Sequence, residues 1–171
     1  MISKKMLESI NEQINKELYS AYFYAGMASY AFSGGLKGMA NWFTVQTQEE
    51  LSHARKFYNY VNDQGERVRL KAIDEPPQDF TSPLDLFEKT LEHEKKVTAS
   101  INNLVTLAKK ENDHATEIFL QWFVSEQVEE ESSAAEVMQQ LKLVGKEGNG
   151  LFMIDKELGL RIFTPPQAAG K

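Results

Sequence analysis

The chain has 171 residues and a formal charge of −6, which suits one domain spanning 1–171 with a sizeable core and disfavours nucleic acid as a partner. It contains no cysteine, which excludes a disulfide framework, thiolate metal sites and iron–sulfur clusters and fits a reducing cytoplasm. No apolar run reaches membrane-spanning length, and Met1-Ile2-Ser3-Lys4-Lys5 opens no signal-peptide pattern.

The prolines stand at Pro76, Pro77, Pro83, Pro165 and Pro166, so 1–75 and 84–164 are free of helix breakers of that kind. A first helix is predicted over 4–33, closed by Gly34-Gly35, and a second over 36–64, closed by Gly65. Residues 65–81 then form a long link. Ser82-Pro83 opens a third helix, 83–111, with serine as cap and proline in the first turn. Asn112-Asp113 breaks the chain before a fourth helix, 114–144, and glycines precede a short fifth near 150–161. The tail carries Pro165-Pro166. The two tight joints make antiparallel helix pairs. The long link, extended, reaches roughly 55 Å against about 42 Å for a helix of about 28 residues, so it can run the length of a bundle. The fold class is therefore all-α, a four-helix bundle with one long crossover and a short fifth helix.

Each of the four long helices carries an apolar stripe at alternating four-and-three spacing. Each stripe is interrupted near its middle by residue types that bind metals: Glu17 in the first, Glu50 and His53 in the second, Glu94 in the third, Gln127 and Glu130 in the fourth. Glu17 and Leu51 stand equally far from Gly34, and Glu94 and Glu130 equally far from Asn112, so the interruptions are level in each antiparallel pair. An offset of 77 takes Glu17, Glu50 and His53 to Glu94, Gln127 and Glu130, and Glu49 to Glu126. The two pairs read as halves related by a pseudo-two-fold axis, each giving one carboxylate and an i, i+3 pair on one helix face.

Four carboxylates in an apolar core repel one another, and no lysine or arginine sits on these seams. Two divalent ions would balance them, with His53 and Gln127 neutral. Oxygen-rich ligation with one imidazole suits iron or manganese, although charge alone also admits zinc. The halves differ, because Gln127 replaces a carboxylate and an amide is a poor ligand. The expectation is a tighter site at Glu17, Glu50 and His53 and a looser one at Glu94 and Glu130. Glu50 would bridge them, and Gln127 would hydrogen-bond water or oxygen. Tyr24 lies on the same seam, where packing alone also accounts for it. His93 and His114 lie off the seams and are read as solvated. Tyr19, Phe23, Met27 and Tyr30 form a second stripe that is read as buried against another subunit.

With Glu17, Glu50-Leu51-Ser52-His53, Glu94 and Gln127-Val128-Glu129-Glu130 in place, the chain resembles prokaryotic non-haem ferritins over nearly its whole length. The resemblance implies a ferritin-like bundle and a homo-oligomeric cage of 24 subunits. It implies oxidation of Fe(II) by oxygen or hydrogen peroxide at a centre of two irons per subunit, and a stored ferric oxide mineral. It also implies a third iron site at Glu49, Glu126 and Glu129, with Glu130 shared. Tyr24 and Trp122 match aromatics beside the centre, and the fifth helix matches one that lines a four-fold axis. Bacterioferritins, which are similar, carry a haem-binding methionine where this chain has Ser52, so no haem is expected. Two other readings stay open: a di-iron oxygenase with an organic substrate, and a bundle whose buried polar residues only set helix register.

Overall fold

A computed structural model describes residues 2–145 and 148–165; Pro166 of the predicted tail lies outside them. Five helices and no strands are present among the described residues: α1 (Lys4–Ser33), α2 (Lys37–Asp63), α3 (Pro83–Lys110), α4 (His114–Val144) and α5 (Gly148–Leu158).

Local chemistry sets most of these bounds. Ser3 accepts from Met6 N at 3.0 Å and Asp113 from Thr116 N at 3.1 Å, each satisfying an orphan amide of a first turn. Ser82 accepts from Asp85 N at 3.1 Å, and Asp85 accepts in return from Thr81 N at 2.9 Å. The first three helices end alike. Gly35, Gly65 and Asn112 take positive φ (81°, 77° and 55°). Around each, the amide of the next residue reaches five positions back, as in Leu36 N to Ala31 O and Asp113 N to Ala108 O. This is the Schellman closure, and asparagine is the side-chain-bearing residue that tolerates it best.

The crossover runs beside α1 from its N-terminal to its C-terminal end. Arg69 N donates to Asn11 and Asn15 to Ala72 O; Pro77 O passes Gly26; and Tyr30 OH donates to Phe80 O. It therefore delivers the start of α3 to the end of the bundle where α2 begins, and α3 runs parallel to α2. Tyr30 and Phe80 also correct the reading of the second stripe on α1. Phe23 and Met27 are buried, and Tyr19 and Phe23 pack at a tilt against His93 of α3. The chain's own crossover and third helix bury Phe23 and Met27 and partly cover Tyr19 and Tyr30.

The core is divided along the bundle axis. One apolar cluster includes Tyr24, Phe43 and Phe87 and the other Ile14, Phe57, Ile101 and Phe123. Each fully buried side chain of this size contributes roughly 1.5–3 kcal/mol. Between the clusters lies a buried polar belt: Glu17, Gln46, Glu50, His53, Glu94, Gln127 and Glu130. No described helix is long and apolar enough to cross a membrane.

The fifth helix packs on α2 and α4. Its bounds, Gly148–Leu158, lie earlier than the predicted 150–161. Its early end has a cause in Asn41 of α2, whose amide donates to Leu158 O at 3.3 Å, the carbonyl a further turn would need, and to Arg161 O at 2.9 Å. In exchange, Asp155 of α5 accepts from Met39 N at 2.8 Å and caps α2, which has no side-chain cap of its own.

Candidate metal centre

The i, i+3 spacing of Glu50 and His53 turns both side chains into the core, and the antiparallel pairing of α1 and α2 brings Glu17 level with them. One ligand atom from each lies within 4.8 Å of the others. His53 Nδ1 is 3.4 Å from Glu50 Oε2, and both side chains are nearly inaccessible. Glu17 Oε1 accepts from Gln13 Nε2 at 2.8 Å. Its other oxygen, Oε2, is buried without a hydrogen-bond partner. A buried carboxylate oxygen left bare is costly, and a cation is the partner its surroundings lack.

The second helix pair contributes differently. Glu94 accepts from Tyr24 OH and from Gln127 Nε2, the latter at 3.1 Å. Glu130 accepts from Gln46 Nε2. Thus Glu94 and Glu130 reach the same belt but face hydrogen-bond donors, Gln127 among them, while Glu17, Glu50 and His53 face one another. Burial, reinforced by Glu94 and Glu17, pushes the Glu50 carboxyl well above its ordinary range. Burial likewise raises Glu130, with Glu94 and Glu50 adding to it. Glu94 is raised to about 6 by burial, against the donors Tyr24 and Gln127, which lower it. The Tyr24 hydroxyl is raised by burial and by Glu94, so it stays protonated and donates.

Glu49, Glu126 and Glu129 do not join the belt. They line a separate cavity of about 450 Å³ beside it, with Trp122 and Arg161. Glu49 and Glu126 are half-buried and raised chiefly by that burial; Glu129 is exposed. Trp122 stands edge-on to His53 with ring centroids 5.4 Å apart, and Lys56 lies 4.1 Å above its ring. The off-seam histidines divide: His114 is exposed as expected, but His93 is not solvated. It is half-buried against Tyr19, Phe23 and Tyr24 and pairs with Ser20 Oγ at 2.8 Å. Burial lowers it to about 4.

Three residues escaped the sequence reading of the site. Gln13 is 1% exposed and was legible only as the residue one helical turn before Glu17. Gln46 lies on a seam but was not separable from ordinary boundary glutamines. Arg161 comes after the last helix, and no periodicity points to it.

Four buried carboxylates and one imidazole can hold two divalent cations without leftover charge, and the donors around Glu94 and Glu130 fix those two carboxylates for the purpose. The chain belongs to the ferritin family: the model of the ferritin-like domain matches residues 7–144. Among its relatives, the bacterial non-heme ferritin of Staphylococcus aureus (strain USA300) is 41% identical over 163 residues, 95% of this chain and 98% of that protein. That of Campylobacter jejuni is 42% identical over 156 residues, 91% and 93% of the two chains. Among solved structures, an open-pore ferritin from the archaeon Archaeoglobus fulgidus superposes with a TM-score of 0.94 at 52% identity. It covers 95% of this chain and 100% of that one. An engineered closed form of the same ferritin gives 0.95 at 53%, covering 96% and 100%.

Proposed function

We propose that this chain is a ferroxidase subunit of an iron store. Two Fe(II) ions bind in the belt, one at Glu17, Glu50 and His53 and the other at Glu94 and Glu130, with Glu50 between them. Each gives one electron to oxygen or hydrogen peroxide, and the Fe(III) formed moves through the cavity of Glu49, Glu126 and Glu129 toward a ferric oxide mineral. Gln127, which offers an amide where the other half offers a carboxylate, keeps the second position loose enough to release product. Tyr24 holds Glu94 by its hydroxyl. The mineral requires an enclosing shell, which is proposed as a cage of 24 copies and is supported by the likeness to bacterial non-heme ferritins.

The single observation that carries this reading is the buried cluster of Glu17, Glu50 and His53, whose ligand atoms lie within 4.8 Å of one another and in which one Glu17 oxygen has no hydrogen-bond partner. The test is Fe(II) addition in air to size-fractionated protein. Glu50→Ala should slow initial oxidation at least about tenfold, since a ligand to both ions is lost. It should leave assembly intact and stabilise the metal-free protein, because one repelling carboxylate is gone. Unchanged initial oxidation would remove the catalytic role from this centre. Turnover of an organic substrate by a discrete monomer or dimer would replace it with the oxygenase reading.

A further inference from the structure

Arg161 lies three residues beyond the last residue of α5, yet it reaches the edge of the metal centre. Its Nη1 donates to Gln46 Oε1 at 2.8 Å and its Nη2 to Glu49 Oε2 at 2.6 Å. The guanidinium carbon sits 4.5 Å from the centroid of the Trp42 ring. The backbone is held from behind, because its carbonyl accepts from Asn41 at 2.9 Å. Arg161 and Glu49 are each 23% exposed, so the pair is partly shielded from water.

The chemistry of an amide gives this arrangement a direction. A guanidinium can only donate hydrogen bonds, so the Gln46 oxygen must face Arg161. The Gln46 nitrogen then faces Glu130, to which it donates. Arg161 therefore decides which end of the Gln46 amide the Glu130 carboxylate meets. Its other prong occupies Glu49, the residue immediately before Glu50 of the belt. Among the described residues lining that cavity, Arg161 is the one cation, and it is paired with Glu49.

We propose that Arg161 is a displaceable guard of the outer carboxylate cavity. It occupies Glu49 in place of a metal ion and, through Gln46, positions Glu130. A cation that takes Glu49 Oε2 must displace the guanidinium, so the cavity passes ions on and does not retain them. The charge that an incoming ion must displace belongs to a residue that α5 delivers, which links the docking of that helix to traffic at the centre. Arg161 is a positioning residue in this scheme, and the inference rests on the outer cavity being the outward path proposed above.

The test uses Tb(III), which is not oxidised, and its luminescence sensitised by Trp122, which lines the cavity. The component abolished by Glu49→Gln reports the outer position. Arg161→Gln should tighten that component about fivefold, the worth of a half-shielded ion pair. Arg161→Lys, which keeps a charge but not the two-pronged fork, should fall between Arg161→Gln and the native chain. A merely structural arginine predicts the opposite sign, weaker binding on removal. Equal or weaker Tb(III) binding in Arg161→Gln overturns the inference. If that variant fails to fold by circular dichroism, Arg161→Lys decides: native-like affinity overturns the inference and tighter binding upholds it. Unchanged Tb(III) binding beside normal Fe(II) oxidation would sink the guard alone. Loss of oxidation in the native chain would sink the ferroxidase reading.

Discussion

Glu50, Glu94 and Glu130 keep their protons at pH values where an exposed carboxyl would have lost them. Burial is the first cause in each case, and mutual repulsion or a hydrogen-bond donor modifies it. A metal ion needs the deprotonated form, so binding must expel these protons. The sign follows: as pH falls through about 6, where Glu94 takes up its proton, metal affinity falls and the protons released per ion rise. Zn(II) titrated calorimetrically into metal-free protein at pH 6, in two buffers of different ionisation enthalpy, should release between about one and three protons per subunit. Fewer should appear at pH 8, where Glu94 has already ionised. No release at pH 6 would mean that the belt is ionised without metal and that its burial does not control it. Gln13, Gln46 and Gln127 belong to the same scale. Each is a neutral donor aimed at one carboxylate, which steadies the site without adding a charge to cancel the metal.

At the scale of elements, the exchange between α2 and α5 stands out. Asp155 caps α2, Asn41 takes the last carbonyl of α5 and that of Arg161 beyond it, and Gly38 lets the two backbones meet. A Cβ on Gly38 would lie 1.5 Å from Asp155 O, a backbone atom that cannot swing aside. Alanine ordinarily favours a helix over glycine by about 1 kcal/mol, but here the clash decides. Gly38→Ala should destabilise the subunit by about 1–3 kcal/mol, read as a lower guanidinium midpoint, and should shift Trp42 fluorescence as Arg161 leaves its ring. A midpoint equal to or above that of the native chain would show that α5 docks loosely. The α3–α4 joint shows the converse. Asparagine at φ 55° closes α3 without glycine, so residue choice there was legible as a break, and the left-handed backbone explains why it works.

At the scale of the molecule, an open apolar groove of about 630 Å³ lies along α1, α2 and the crossover, lined by Leu18, Leu51, Tyr58 and Leu70 among others. Leu51 and Leu70 are 49% and 64% exposed, a cost that a second copy would remove. Leu51→Glu would place a charge in that groove. If the proposed cage forms through this groove, sizing should then show smaller species than the native chain gives, with the proposed Fe(II) oxidation retained, since the residues of the candidate centre all come from one chain. Native-sized assemblies of this variant would place the contact elsewhere.

The bounds of the fifth helix were not legible in the sequence, but the four long helices, the crossover and the level placement of Glu17, Glu50, His53, Glu94, Gln127 and Glu130 were. They depend on periodicity, on helix-stopping residues and on counting from two tight joints, and those are properties of the chain itself. What covers the Tyr19–Tyr30 stripe, why His93 is shielded and which residue reaches Glu49 were settled only by the fold. Each depends on contacts between segments far apart in sequence: Tyr30 with Phe80, Phe23 with His93, and Arg161 with Gln46 and Glu49. A side chain can advertise its own helix face, but not the partner that another segment brings to it.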